Sequence, residues 1–457
     1  MGIVIGRFQP YSIRILVLTL CVAVVCGQGW CLAAEPLSLQ QALQLAIQHN
    51  PTLQSSREEV NISDAQKDMA LAAFLPRIDA TGTYTNTNQP SKAFGILLDQ
   101  GRFTAADFAI PSLNNPGLTE NFSSALRLTQ PLYNGGRNLL NMEISDIGQT
   151  VSAEGLESTR QTVLFRVTQA YFNLALAKLS LAIAQETVQI AISNAKHIAI
   201  RYRDGVVVKS DLLQAKVRLA SHRQDEIRAK QFVRVAKLTL RHTIGMNDAV
   251  DISETLRDAP ATVPNLENLI STALESRPDY RQTIAQLRQA DLAVDLAKSV
   301  YRPIVNLQAN YELNNTAPFS PNGSNNYSVF GILSLNLFHG LGDAAAIRKA
   351  EARAEKARQL LEAKRRRIEV EVVDASSQFI SASERLKVTD QAITQAEENL
   401  RIVRNRYNEG LASVLDLLTA ELVLKQAKRN RMRALYDVRI SQARMDFVTG
   451  TVQKGLE

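Results

Sequence analysis

Two long stretches of this chain are copies of one another. Residues 132–245 align with 337–450 at a constant spacing of 205 and without a gap. Gly135 then meets Gly340, Tyr202 meets Tyr407, Gly205 meets Gly410, Asp211 meets Asp416 and Gly245 meets Gly450. Upstream the spacing is 227: Pro51 matches Pro278, Pro76 matches Pro303 and Tyr84 matches Tyr311. The first copy therefore carries 22 extra residues between Tyr84 and Leu132. Duplication of so long a unit builds a pseudo-symmetric architecture rather than one catalytic pocket. It divides the chain into a first repeat over 35–245, a linker over 246–267 and a second repeat over 268–457.

Residues 1–34 read as a secretory signal peptide. Arg7 and Arg14 precede an uncharged apolar run from Ile15 to Val25, and small residues follow at Ala33 and Ala34, either of which fits cleavage. A retained anchor is the alternative, but the run is shorter than the ~20 residues that span a bilayer. No other segment reads as a membrane-spanning helix. All three cysteines (Cys21, Cys26, Cys31) lie inside the leader, so the mature chain has no thiol chemistry. Removing Arg7 and Arg14 takes the net charge from +7 to +5. That excess is weak evidence for nucleic acid, because the acids and bases are interspersed along the helices.

The helices are long. From Asp343 to Glu409 there is neither Gly nor Pro, which at 1.5 Å per residue spans roughly 100 Å. Apolar or small residues recur at Ile368, Val372, Ala375, Phe379, Ala382 and Leu386, and continue through Thr389, Ile393, Ala396, Leu400, Val403 and Tyr407. The steps alternate four and three, the repeat of a left-handed coiled coil. The first copy shows the same series from Val163 to Tyr202. Shorter helices run over 51–75, 211–244, 278–302 and 416–448. Two of these stacked end to end approach the length of one long helix and pair off beside it.

Four segments read as strands: 77–85, 122–132, 304–314 and 328–338. In the third, Val305, Leu307, Ala309, Tyr311 and Leu313 alternate with Asn306, Gln308, Asn310 and Glu312. In the fourth, Val329, Gly331, Leu333, Leu335 and Leu337 share a face. About ten residues, apolar on one side and polar on the other, is the pattern of a membrane-barrel strand. A half-buried sheet gives the same alternation, but the polar side suits a wet lumen. The reading is that Leu307 and Leu333 face lipid, and that Asn306, Gln308 and Asn310 face the lumen. Four strands cannot close around a channel, and a lipid-exposed sheet cannot keep open edges, so the chain must oligomerise. The polar connections over 86–121 and 314–326 read as loops at the barrel mouth.

Little else carries chemistry. Gly340-Leu341-Gly342-Asp343 follows a strand and opens a helix, as a dinucleotide fingerprint would, but the helix runs too long and no parallel strand follows. Lys364-Arg365-Arg366-Arg367 is expected level with the start of the Pro51 helix, pairing with acids of the linker rather than with nucleic acid. The five histidines lack metal-ligand spacing, and nothing supports an enzyme or a cofactor. Asp211 and Asp416 read as N-caps of the return helices, as pore carboxylates, or as both. Gly205 and Gly410 read as helix-ending glycines.

The segments Gln130-Pro131-Leu132-Tyr133-Asn134-Gly135-Gly136 and Leu337-Phe338-His339-Gly340, with the paired turns Arg201-Tyr202-Arg203-Asp204-Gly205 and Arg406-Tyr407-Asn408-Glu409-Gly410, resemble TolC-type outer membrane efflux ducts. The resemblance covers essentially the whole mature chain. It implies an α+β membrane protein in the outer membrane: a homotrimer with four strands per chain in a twelve-stranded transmembrane β-barrel, continued across the periplasm by a helical coiled-coil barrel. It also implies a periplasmic adaptor and an inner-membrane pump as partners, in efflux or type I secretion. Asp211 and Asp416 then sit at a periplasmic constriction, and Tyr202 and Tyr407 help hold it closed. Gly205, Val206, Gly410 and Leu411 form the adaptor-docking turns. Ala412 and Thr419 depart from the best-known members, which carry an arginine and a second aspartate there; Lys209 is the candidate substitute for that arginine. A periplasmic coiled-coil adaptor is the rival reading, and it leaves the two-faced strands unexplained.

Overall fold

The computed structural model describes residues 36–256, 265–318 and 323–452. The signal peptide and all three cysteines lie outside them. The duplication is visible element by element. Helices α1 (Leu39–His49) and α2 (Pro51–Ala72) precede strand β1 (Arg77–Thr87). Short helices α3 (Pro90–Asp99) and α4 (Ile110–Asn114) lead to β2 (Thr119–Asn134), long α5 (Arg137–Arg203) and α6 (Lys209–Ile244). The second copy has α7 (Leu266–Ser276), α8 (Pro278–Lys298), β3 (Ile304–Asn315), β4 (Ser324–Ser334), α9 (Gly342–Asn408) and α10 (Val414–Val448). Both long helices have 67 residues.

The helices α1 and α7 are absent from the sequence reading, although each has 11 residues and they lie 227 apart. Ser38 and Gln41 form a reciprocal capping box at the start of α1, the S-x-x-Q signature. Because α7 starts at Leu266, the linker ends before Glu267. The connection over 86–121 is also no simple loop: it folds into α3, a 3-10 turn at Ala105–Phe108 and α4. Each of these helices has ten residues or fewer, too short for periodicity alone to separate it from a loop.

The long helices bury the 3.5-residue seam. Val163, Val167, Ala170, Leu174, Ile198, Ile368, Val372, Ala375, Phe379 and Ala382 are all under 9% exposed, and the many alanines let neighbouring helices approach closely. Part of α5 is long and apolar enough to cross a bilayer, contrary to the sequence reading. Only 28% of that stretch is buried within this chain, whereas Leu164, Val167, Tyr171 and Leu174 on the same helix are fully buried among other helices. Each return helix meets a shorter helix end to end, as expected. A Cβ on Gly245 would lie 2.5 Å from the His49 carbonyl oxygen, and one on Gly450 would lie 3.0 Å from that of Ser276. Both glycines also have positive φ, so these two junctions admit only glycine.

The linker is part of this core. Ile252 bridges Leu37, and the buried Tyr171 hydroxyl donates to the Leu37 carbonyl at 3.0 Å. Linker Asp251 pairs with Lys178 and Lys237. The Lys364–Arg367 run does not reach the linker acids: Lys364 pairs with Asp279 at 2.6 Å, and Arg365, Arg366 and Arg367 pair with Glu369, Glu362 and Glu371 one turn away on their own helix. The run therefore lies level with the start of α8, the second copy's counterpart of α2.

The four strands form one antiparallel sheet in the order β1-β2-β3-β4. Strand β4 lies four residues earlier than the sequence reading places it, so Leu335 and Leu337 fall outside it. Opposed residues in an antiparallel pair share a face. The register puts Ile78, Ala80 and Tyr84 together with Phe122, Leu126, Leu128, Leu307, Ala309, Tyr311, Tyr327, Val329 and Leu333. The other face collects Asp79, Thr81, Arg127, Asn306, Gln308, Asn310, Glu312 and Ser328. Phe330 and Ile332 also fall on this polar face, opposite Gln308 and Asn306, an exception not legible from the alternation of β3 alone.

Candidate functional site

At the far ends of the long helices, the two helix-to-helix turns pack side by side. Each long helix ends in the same motif: the Gly205 and Gly410 N–H groups donate to Tyr202 and Tyr407 carbonyls at 3.1 Å. Val206 and Leu411 N–H groups donate to Arg201 and Arg406 carbonyls at 2.8 Å. This pair of bonds requires a left-handed residue after the helix, supplied by glycines at φ 75° and 78°. Beneath the turns, Ile198, Ala215, Leu400, Tyr407, Val414, Leu417 and Leu418 form one apolar cluster drawn from both copies.

The two copies differ inside this frame. Tyr407 is 6% exposed and Tyr202 is 40% exposed. Arg201 spans between the copies. Its guanidinium lies 4.8 Å from the centroid of the Tyr407 ring and donates to the Tyr407 carbonyl at 3.1 Å. Lys209 is exposed and has no ion pair among the described residues, and within this chain Arg201 is the basic residue that ties the two turns together. Only proximity in the fold identifies it, since its equivalent Arg406 turns back to its own Leu411 carbonyl. Replacing Arg201 with alanine removes one cation–π contact and one charged hydrogen bond, together worth about 1–3 kcal/mol. Amide hydrogen exchange over residues 405–411 is expected to accelerate correspondingly; unchanged exchange would show that the turns hold without it.

The aspartates are not N-caps, as the sequence reading allowed. The cap residues are Val208 and Ser413, and both aspartates stand three positions further in. Asp416 completes a capping box: Ser413 donates to its carboxylate through N–H at 2.9 Å and Oγ at 2.7 Å, and the Asp416 N–H donates to Ser413 Oγ. The Ser413 hydroxyl and N–H hold the Asp416 carboxyl below the usual carboxylate range. Val208 cannot reciprocate, and Asp211 has no side-chain partner among the described residues. Asp211 is half-buried and Asp416 exposed, so both remain free to act as charges at the turn end. Val206, Val208, Leu411 and Leu415 are each 59–65% exposed at the same tip, an apolar surface that nothing among the described residues covers.

In the wall, Leu307, Asn306, Gln308 and Asn310 are half-buried and Leu333 is 70% exposed. Leu307 and Leu333 share the apolar face of the sheet, and Asn306, Gln308 and Asn310 share the polar one. Among the described residues no group of acidic, histidine or cysteine side chains could hold a metal.

A family model described as outer membrane efflux protein matches residues 42–246 and 269–451. Protein CyaE of Bordetella pertussis is 23% identical over 394 residues, covering 85% of this chain and 78% of that protein. The alkaline protease secretion protein AprF of Pseudomonas aeruginosa is 23% identical over 441 residues, covering 92% of this chain and 86% of AprF. Among solved structures, the CmeC outer membrane channel of Campylobacter jejuni superposes with a TM-score of 0.78 at 19% identity, over 91% of this chain and 86% of CmeC.

Proposed function

Since this chain belongs to the outer membrane efflux protein family, we propose that three copies of it close a twelve-stranded barrel whose helical extension is a periplasmic export duct. As a family member the protein is an outer membrane export channel. The duct passes cargo from an inner-membrane pump and a periplasmic adaptor to the exterior. The observation that carries the trimer is the sheet: it is apolar on one face, polar on the other and open at both β1 and β4. Such a sheet is stable in lipid only when its edges are paired by further copies. Light scattering of the purified protein in detergent tests this, with three chains per particle expected. A monodisperse monomer that keeps its full strand content would sink it.

The turn end is the proposed constriction. Asp211 and Asp416 supply two carboxylates per chain and six per trimer, a ring that favours cations. The exposed tip around Gly205, Val206, Gly410 and Leu411 is the proposed docking surface for the adaptor. Because an asparagine oxygen still accepts from Ser413, exchanging both aspartates for asparagine removes charge while sparing the capping geometry. The cation-to-anion permeability ratio in planar bilayers is expected to fall at least about two-fold. An unchanged ratio in a stably assembled Asp211→Asn, Asp416→Asn trimer would place both residues outside the pore.

A further inference from the structure

The extra residues of the first copy form a small folded unit with its own packing. Phe103 meets Phe94 and Phe108 edge to face, with centroids 4.9 and 5.0 Å apart, and Ala93 is fully buried beneath them. The unit is pinned across three strands. Gln100, only 6% exposed, donates from its amide to the Glu120 carbonyl at 2.8 Å, to Asn121 Oδ1 at 2.9 Å and to the Asn315 carbonyl at 3.2 Å. Asn326 on β4 donates to the Asp99 carbonyl at 3.2 Å, and a Cβ on Gly101 would rest 3.7 Å from Ser324.

These contacts choose a side of the sheet. Asn121, Asn314, Ser324 and Asn326 all belong to the polar face. There Asn314 is 1% and Asn121 7% exposed, whereas no other described residue of that face is buried. At the same level on the apolar face Leu313, Asn325 and Tyr327 are exposed. The unit therefore stands on the polar face, at the end of the sheet remote from the long helices.

We propose that residues 88–118 are a cap that projects into the outer mouth of the lumen and is completed by the same segment of the two neighbouring copies. This rests on the trimeric reading above. In a closed trimer the polar faces point at the axis, so the surfaces a cap meets there are the other two caps and water. Phe108, Ile110 and Leu118 are 65–75% exposed on this unit, and gathering three such sets about the axis removes them from water. The connection between β3 and β4 is shorter in sequence, so the duplicated design gives one cap per chain rather than two.

The full-length protein in intact cells offers a clean test, because its native cysteines all lie within residues 21–31. Ile110→Cys with a short bis-maleimide is expected to yield covalently linked pairs of chains. Thr81→Cys, on the polar face of β1, reports entry from outside. A polymer-linked maleimide should label it faster by an order of magnitude or more once Gln100→Ala is added, or once residues 90–116 are replaced by a short Gly-Ser linker. A small maleimide should label all versions alike. Equal labelling by the bulky reagent, with no Ile110→Cys pairs in protein that light scattering shows to be trimeric, overturns the cap alone. A non-trimeric particle overturns both the cap and the trimer.

Discussion

Alanine in place of Arg277 is expected to destabilise the protein by about 3–5 kcal/mol, the cost of stripping the partner from buried charges. Arg277 sits at the break between α7 and α8 with its side chain 7% exposed. It grips Asp279 with two bonds of 2.9 and 2.7 Å, donates to Glu371 at 2.7 Å and reaches the Val448 carbonyl at 3.2 Å. One side chain thus joins α8, α9 and the end of α10. At the matching position the first copy carries Asn50, which caps α2 through Thr52 and Leu53 and donates to the Thr243 carbonyl. Arg277→Asn should therefore recover about 1 kcal/mol of the loss through capping, but not the ion pairs. Thermal unfolding followed by helical circular dichroism measures both, and equal stability of wild type and Arg277→Ala would remove the cluster from any structural role.

The same cluster sets an acid limit. Burial pushes the Asp279 carboxyl up, but hydrogen bonds from Arg277 and Lys364 outweigh it and hold the group at about 2, below its ordinary 3.8. Glu371 is likewise lowered: burial raises it and Arg277 more than offsets that. A carboxyl depressed in the folded state contributes fully above its unfolded value, and the contribution fades as pH falls through the folded one. Stability should therefore drop between about pH 4 and pH 2, and Arg277→Asn should flatten that drop.

A charge in the middle of the apolar face is the second large effect. Val329 lies midway along β4, opposite Ala309 and 61% exposed. An arginine there should cost about 2–4 kcal/mol in the bilayer, whereas at Leu333, one residue from the end of the strand, it should cost only about 0–1 kcal/mol. Gln308→Arg, on the polar face beside Thr129, should assemble normally. The measurement is the amount of heat-modifiable protein recovered from the outer membrane. Val329→Arg matching Gln308→Arg would count against the lipid assignment.

How far the sequence reached depended on the range of the interaction. The seam from Ile368 to Tyr407 was readable because each residue's burial follows from its helical spacing. So was the two-faced character of β3, which depends on alternation alone. Helices α1 and α7 were not legible as separate elements because at 11 residues each is only about three turns, although both are amphipathic and the Ser38-Gln41 capping box marks one of them. The end of β4 was misplaced because the alternation continues through Leu335 and Leu337 after the pairing with β3 has stopped.

By itself, then, the sequence determined the duplication, the coiled-coil seam, the strand faces and the glycines that end the helices, since each is written in local spacing or in a backbone conformation only one residue adopts freely. Tertiary structure decided the rest. It made Tyr407 a buried platform and left its copy Tyr202 exposed, set Arg201 across the two turns, gathered Asp279 and Glu371 around Arg277, and folded residues 88–118 onto the polar face. These depend on what lies opposite in space, and duplication leaves the two copies with identical spacing but different neighbours.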